Sequence, residues 1–257
     1  MSSCLQLPDH ARRLVSPRPA LTQHNTTQPI LSCSQHHMYT NTPLDNHFHG
    51  TDPFLNSDPT VPRNFFNKLC AILNPIVLCF ALPGNYIIHL VEMFHGRETW
   101  TLGKTFFPAI VGLFVHICGW RRGLWLMFVQ GATLGNHYFT MALMNHNSDH
   151  CQDVKSRNKA KDWGIAQLHS CADWGTGRPF LASAPFLWLN YHTVHHMFPL
   201  TDFSHHPAIQ KIMIATCREF DVEYETGNFF TIYKEMIGTF MHPTSLAMEV
   251  NCYASYL

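Results

Sequence analysis

Three apolar segments occupy the middle of the chain and are separated by short polar connections. The first covers residues 69–91, and at about 1.5 Å of helix rise per residue it reaches across a hydrocarbon core of about 30 Å. Asn74-Pro75 and Pro83-Gly84 interrupt it, which membrane helices tolerate and which predicts a kink. The alternative for this segment is a buried helix of a soluble domain.

The other two apolar segments differ in length. Residues 106–120 are apolar but short, and Arg121-Arg122 ends the segment. Residues 124–144 are long enough to cross a membrane. The pattern therefore predicts two full-length spans, at 69–91 and 124–144, with a shorter apolar segment between them.

Both ends of the chain are polar. Residues 1–35 are rich in Pro, Ser, Thr, Gln and His and have no helical or strand periodicity, so we expect them to be disordered. Residues 36–245 are expected to form one domain, in which the polar region after residue 144 is helical, and residues 246–257 a tail.

The composition supports a membrane protein rich in histidine. Hydrophobic residues make up 46% of the 257 residues and charged residues only 13%, against about a quarter in soluble domains. The formal net charge is zero, so a nucleic-acid partner gains no support. The nine cysteines are scattered and form no CxxC pair, which favours a reducing, cytosol-facing environment over a disulfide framework.

Nineteen histidines exceed the 17 Lys and Arg residues together, and the most informative group lies in NYHTVHHMFP at 190–199. Its histidines, His192, His195 and His196, stand at i, i+3 and i+4, which places them on one face of a helix. Three neutral imidazoles on one face suit Fe, Zn or Cu. The alternative is a solvated histidine face.

Two further pairs stand beside the predicted spans. His146 and His150 are one helical turn apart just after residues 124–144, and we interpret them as ligands together with the first group. Adjacent residues on a helix diverge by about 100°, so His36 and His37 would serve neighbouring metals rather than one. For His205-His206 a surface position is favoured over a supporting role near a metal.

The histidine groups can meet only on the same side of a membrane. An even number of crossings must then lie between His36-His37 and the later groups, so residues 69–91 and 124–144 should cross, while 106–120 lies in the interface or re-enters. Only four Lys and Arg residues lie between these two spans, and the positive-inside rule then places the histidines on the cytosolic side.

The chain resembles membrane fatty acid desaturases of the histidine-box, di-iron class, and most of all the desaturase domain of arthropod cytochrome b5-related proteins and front-end desaturases. The matching sequences are QHHMYTN at 35–41, NHNSDH at 145–150, DWGIAQL at 162–168 and NYHTVHHMFP at 190–199. The resemblance covers roughly residues 35–240, and the last of these sequences is its most specific piece.

The resemblance implies an all-α fold, a helical integral membrane domain with a cytosolic helical cap. Histidines from three sequence boxes and from one group after the last span would hold two iron ions. Carried over residue by residue, the ligands are His36 and His37 of the second box, His192, His195 and His196 of the third, and His146 and His150 of the group after the span. No other catalytic residue is implied.

The implied reaction is the oxygen-dependent desaturation of a fatty acyl chain of a membrane lipid. Cytochrome b5, or a similar donor, and its reductase would supply the electrons. The implied location is the membrane of the endoplasmic reticulum. An acyl-chain or sphingolipid hydroxylase of the same class, a non-catalytic membrane metal-binding protein and an inactive gene-model fragment are the alternatives.

Two departures from the family pattern bear on activity. The second box of the family begins with a histidine three or four residues before the pair, where Cys33 and Ser32 stand here. The first box, the first two spans and any haem segment have no counterpart, so we expect an N-terminally truncated domain in which residues 1–35 are not native coding sequence. With seven candidate ligands, we expect the chain alone to bind iron poorly and to lack desaturase activity.

Overall fold

The structure is a computed structural model that describes residues 35–42, 45, 47, 50–58, 61–152, 162–178 and 180–242. The predicted disordered segment, apart from Gln35, and the predicted tail at 246–257 lie outside the described residues. The helices are α1 (35–39), α2 (Phe65–Ile72), α3 (Asn74–Cys79), α4 (Ala81–Phe94), α5 (Leu102–Cys118), α6 (Trp120–Met144), α7 (Trp163–Leu168), α8 (His192–Met197), α9 (His206–Glu219) and α10 (Phe229–Met241). Short 3-10 turns cover His150–Gln152, Phe180–Phe186 and Phe203–His205.

The first apolar segment is divided among three consecutive helices instead of forming one kinked helix. Asn64 begins α2, because its side chain accepts a hydrogen bond from the backbone of Asn67 and the Asn67 side chain accepts one in return. Leu73 then separates α2 from α3, and a proline follows in the first turn of α3, where its missing N–H costs nothing. Phe80 separates α3 from α4.

The second apolar segment forms α5, which begins before the predicted segment and packs along α6 as a helical hairpin. Gly119 allows the reversal because it adopts a φ of +76°. Gly123 lets the two helices approach closely, since a Cβ there would lie 2.7 Å from the backbone of Phe114 and Val115. Helix α6 also packs against α3 and α4, so it forms the centre of the apolar region.

Within the described residues, no single helix has both the length and the hydropathy that a membrane crossing requires. The crossings expected at 69–91 and 124–144 therefore stay predictions.

The buried core lies where the C-terminal end of α6 meets α10 and the loops that follow α6. Its largest members are Leu55, Leu78, Met144, Trp174, Ile232, Met236 and Phe240. Two short strands, β1 (Asp173–Trp174) and β2 (Thr226–Gly227), pair in parallel beside it. The chain is mostly helical, as the sequence predicted, and this core supports the loops that carry the histidines.

Candidate metal centre

Helix α8 carries the histidines of the most informative sequence pattern. The i, i+4 pair His192 and His196 is buried, and their ring centroids lie 4.6 Å apart. His195 is half-buried, with its ring 5.6 Å from that of His192. The predicted helical face is present.

Helix α1 brings His36 and His37 against α8. The ring of His37 lies 4.7 Å from that of His195, in an edge-to-face arrangement, and 4.5 Å from that of His196. The ring of His36 lies 5.0 Å from that of His196 and 4.9 Å from that of His146. The two adjacent side chains share His196 as a neighbour, but His36 reaches His146 whereas His37 reaches His195.

His146 completes the arrangement from the loop after α6. Its ring lies 4.8 Å from that of His196, and its Nε2 lies 2.8 Å from the Nε2 of His192. We call His36, His37, His146, His192, His195 and His196 the histidine cluster. Within it, the potential ligand atoms of His36, His146 and His196 all lie within 4.8 Å of one another.

The outer nitrogens of these three imidazoles are bound by acceptors of the protein. The Nδ1 of His36 lies 2.9 Å from a carboxylate oxygen of Asp45. The Nδ1 of His146 lies 2.9 Å from the carbonyl oxygen of Ser170, and the Nδ1 of His196 lies 3.1 Å from the Oε1 of Gln167. Each Nδ1 therefore carries the proton, which leaves the lone pair on Nε2, the form in which a histidine binds a metal.

The inner nitrogens fit a transition-metal ion. The Nε2 of His196 and the Nδ1 of His192 are buried and have no hydrogen-bond partner among the described residues. A buried nitrogen without a partner is costly, and a bound cation would satisfy it. Imidazole ligands suit iron, copper and zinc, so these residues fit the metal chemistry that the sequence pattern predicted.

Five members of the cluster are neutral near pH 7 because burial lowers their pKa values. Burial, with repulsion from neighbouring imidazoles, lowers the pKa of His192 and of His196 well below the usual value. The same causes lower the pKa of His146 to about 3 and the pKa values of His37 and His195 to about 4. Neutral imidazoles have the lone pairs that metal ligation needs.

Asp45 places a negative charge beside the histidine cluster, and no spacing pattern in the sequence indicated this residue. Its carboxylate also accepts hydrogen bonds from the backbone N–H groups of Asn41, at 3.1 Å, and His47, at 2.8 Å. Burial raises the pKa of Asp45. The hydrogen bond from His36 and the electrostatic interaction with that residue outweigh burial, so the net pKa is lowered. An ionised carboxylate therefore fixes the orientation of His36.

The comparison with known proteins agrees with this chemistry. Residues 34–228, about three quarters of the chain, match the family described as "Fatty acid desaturase". The chain belongs to the fatty acid desaturase family. The histidine cluster falls inside the matched residues.

Curated desaturases are similar over shorter stretches. A chloroplastic "Acyl-lipid (7-3)-desaturase" of Chlamydomonas reinhardtii is 32% identical over 83 residues, which are 32% of this chain and 14% of that protein. An "sn-1 linoleoyl-lipid 6-desaturase" of Arthrospira platensis is 36% identical over 73 residues, 27% of this chain and 18% of that protein. The matched stretches span under a fifth of each relative's length. No solved structure matches the chain.

The structure of this desaturase-family chain does not bring His150 into the histidine cluster. The ring of His150 stacks on that of His169, with centroids 5.2 Å apart. Its Nδ1 lies 3.7 Å from a carboxylate oxygen of Glu225 and 3.9 Å from one of Glu223. The i, i+4 pairing predicted for His146 and His150 fails because the chain leaves α6 at Met144, and the two residues do not share a helix.

The expected surface position of His205-His206 is wrong for His206, whose ring is fully buried. Its centroid lies 6.4 Å from that of His195 and 5.1 Å from that of Phe203, with which it forms an edge-to-face pair. Gln167 is the other residue that sequence reasoning missed as a partner of the cluster, although it lies inside DWGIAQL, a stretch that carries the family resemblance.

Proposed function

We propose that this chain carries the metal centre of an oxygen-dependent oxidoreductase that desaturates fatty acyl chains. The observation that carries the proposal is the set of three imidazoles in the cluster whose Nδ1 atoms are held by Asp45, Ser170 and Gln167. Such outer hydrogen bonds are typical of histidines that bind metals. Membership of the desaturase family and the acyl-lipid desaturases among its relatives supply the reaction class.

In our proposal the histidine cluster holds two iron ions. His36, His146 and His196 are the ligands of one, because their ligand atoms lie within 4.8 Å of one another. His37 and His195, with rings 4.7 Å apart on the outer side of the cluster, serve the second. When bound, the iron supplies the activation of oxygen that attack on an unactivated C–H bond requires.

The residues of the chain position and protect this chemistry. Burial keeps His146, His192 and His196 neutral and excludes water from the inner side of the cluster. Hydrogen bonds to the Nδ1 atoms of His146 and His196 keep these two rings in place, so little reorganisation is needed. No acid or base beyond the ligands enters the proposal.

The proposed substrate is an acyl chain of a membrane lipid. Helices α4 and α5 have no buried residue, although both are strongly apolar. Large apolar side chains on or beside them are widely exposed, among them Phe94, Leu102, Phe106 and Ile117. Exposed apolar surface of this extent marks contact with lipid or protein. Because the proposed enzyme desaturates acyl chains of lipids, we propose that this surface contacts lipid.

The same surface supports an integral membrane protein. We propose that α2 to α4 together, and α6, embed in the membrane of the endoplasmic reticulum with the cluster on the cytosolic side. Cytochrome b5 and its reductase are the proposed electron donors, as the resemblance to histidine-box desaturases implies.

Expression of the full chain in a host with a defined lipid composition tests the function. Because the structure brings six histidines together, we expect a low level of activity instead of none: a new double bond in total acyl chains, which is lost in His196→Ala. Gas chromatography with mass spectrometry measures both. Acyl products with an added oxygen would instead assign a hydroxylase. A chain that binds iron and leaves the lipid profile unchanged would be a non-catalytic metal-binding protein.

A further inference from the structure

Two adjacent residues outside the histidine cluster form hydrogen bonds to α8, which carries His192, and to the loop after α6, which carries His146. Asp173 and Trp174 form β1, and both side chains are fully buried. An oxygen of Asp173 accepts a hydrogen bond from the backbone N–H of Thr193 at 2.8 Å. The indole Nε1 of Trp174 donates one to the Oδ1 of Asn145 at 2.6 Å.

The partners of this dipeptide are the sequence neighbours of two cluster histidines. Thr193 follows His192 in the first turn of α8, and Asn145 precedes His146. The backbone N–H of Ala172 also donates to the carbonyl of Asn145, at 2.9 Å. One short segment therefore holds the backbone beside both members of the pair whose Nε2 atoms lie 2.8 Å apart.

Helix α8 needs this outside support because its own sequence does not cap it. Tyr191, the residue before the helix, makes no side-chain hydrogen bond to the first turn. A carboxylate at the N-terminal end of a helix satisfies a free N–H and favours the helix dipole. Asp173 provides that carboxylate from 20 positions away in the sequence.

The dipeptide is itself fixed on its other sides. The second carboxylate oxygen of Asp173 accepts hydrogen bonds from the Nε2 of Gln210, at 2.7 Å, and from the hydroxyl of Tyr224, at 2.5 Å. Trp174 packs against Phe186 and Phe229, with ring centroids 5.0 Å and 5.5 Å away. Pairing with β2 adds a third constraint.

We propose that Asp173-Trp174 acts as a brace that sets the position of His192 relative to His146 and thereby the affinity of the cluster for metal. Both are positioning residues, since they contact Thr193 and Asn145 and not the imidazoles. The brace rests on the proposed metal-binding function. A shift of either backbone neighbour would displace an imidazole that a metal site must hold within a fraction of an ångström.

Titration of the purified full chain with Co²⁺, a coloured stand-in for iron, tests the brace. Trp174→Phe keeps an aromatic ring and removes one N–H donor, and Asp173→Ala removes the cap of α8. We expect the dissociation constant for Co²⁺ to rise about 10- to 100-fold in both, as for other outer partners of metal ligands, with altered visible absorption bands. Asp173→Asn keeps an acceptor for Thr193 and should restore most of the affinity.

The matched control is Tyr233→Phe. It removes one side-chain hydrogen bond, that of the Tyr233 hydroxyl to Asn74 at 3.1 Å, in the contact between α10 and α3. We expect its affinity to stay within about two-fold of the parent chain, well below the 10-fold lower bound for outer partners. Circular dichroism checks folding, and if Asp173→Ala does not fold, Trp174→Phe decides. Parent-like affinity and spectrum in folded Trp174→Phe would overturn the brace.

Hydrogen–deuterium exchange without metal separates this proposal from the proposed function. The brace predicts faster amide exchange of α8 in both Asp173 variants, with a smaller increase in Asp173→Asn than in Asp173→Ala. In Trp174→Phe it predicts faster exchange of residues 145–147. If the parent chain binds no Co²⁺ but shows these changes, the metal function fails and the brace stands. If the parent binds Co²⁺ and exchange is unchanged in all variants, the brace fails alone.

Discussion

The Nε2 atoms of His146 and His192 lie 2.8 Å apart although the residues are 46 positions apart in the sequence. Two neutral imidazoles in this geometry share one hydrogen or face one cation, and both are buried. This contact joins the loop after α6 to α8 and makes the cluster one unit.

Replacing His196 by alanine should remove metal binding, whereas replacing His150 should not. The ring of His196 lies beside those of all five other members of the cluster, and loss of a ligand should cost more than the ~10- to 100-fold typical of an outer partner. His150 lies outside the cluster and faces Glu223 and Glu225, a separate group that could hold an ion of its own. Co²⁺ titration of both variants measures the difference, and equal losses would show that His150 is a ligand after all.

Metal analysis of the purified chain should find one tightly held ion, and the second proposed ion, with only His37 and His195 as ligands, should be held weakly. Among the described residues, the three-histidine group of His36, His146 and His196 is the one built from imidazoles alone. An ion at ~100 times its dissociation constant adds about 2.7 kcal/mol to stability. Removal by a chelator should therefore lower the melting temperature, and zinc or iron should restore it. Two tightly bound ions per chain would contradict the ligand count.

Gln167→Leu should weaken metal binding without unfolding the chain. The Oε1 of Gln167 accepts from the Nδ1 of His196 and also from the hydroxyl of Thr40, at 3.0 Å. Without it, the Nδ1 of His196 keeps only the hydroxyl of Thr40, also at 3.1 Å, and the loss of one of these two partners should cost about 10- to 100-fold in metal affinity. Gln167→Glu keeps an acceptor and is the matched control. If leucine and glutamate variants bind Co²⁺ equally, the hydrogen bond has no role in ligation.

Gly123→Ala should destabilise the α5–α6 hairpin, whereas Gly112→Ala should not. A Cβ at Gly123 would lie 2.7 Å from backbone atoms of α5, which cannot move aside as a side chain would. Overpacking of this kind costs about 1–3 kcal/mol. A Cβ at Gly112 meets nothing within 4 Å, and alanine there should be neutral or stabilise by about 0.5–1 kcal/mol. Unfolding in detergent, followed by circular dichroism, compares the two.

The sequence alone placed the elements whose signals are local. The spacing of His192, His195 and His196 predicted one helical face, because side chains at i, i+3 and i+4 of any helix are neighbours. The apolar segments between residues 69 and 144 predicted helices, and helices are observed there. The breaks after α2 and α3 were visible only as proline positions, whose effect on a helix depends on what packs beside it.

The tertiary structure decided what belongs to the cluster. His150 shares the spacing of a ligand pair but leaves the helix of its partner, while His206, with no spacing signal, is buried beside His195. Asp45 and Gln167 orient cluster imidazoles through long-range contacts that no periodicity encodes. Local spacing thus determined that the imidazoles of α8 lie on one face of that helix. Only the packing of loops on a shared core determined which of them meet, because that depends on distances between segments remote in the sequence.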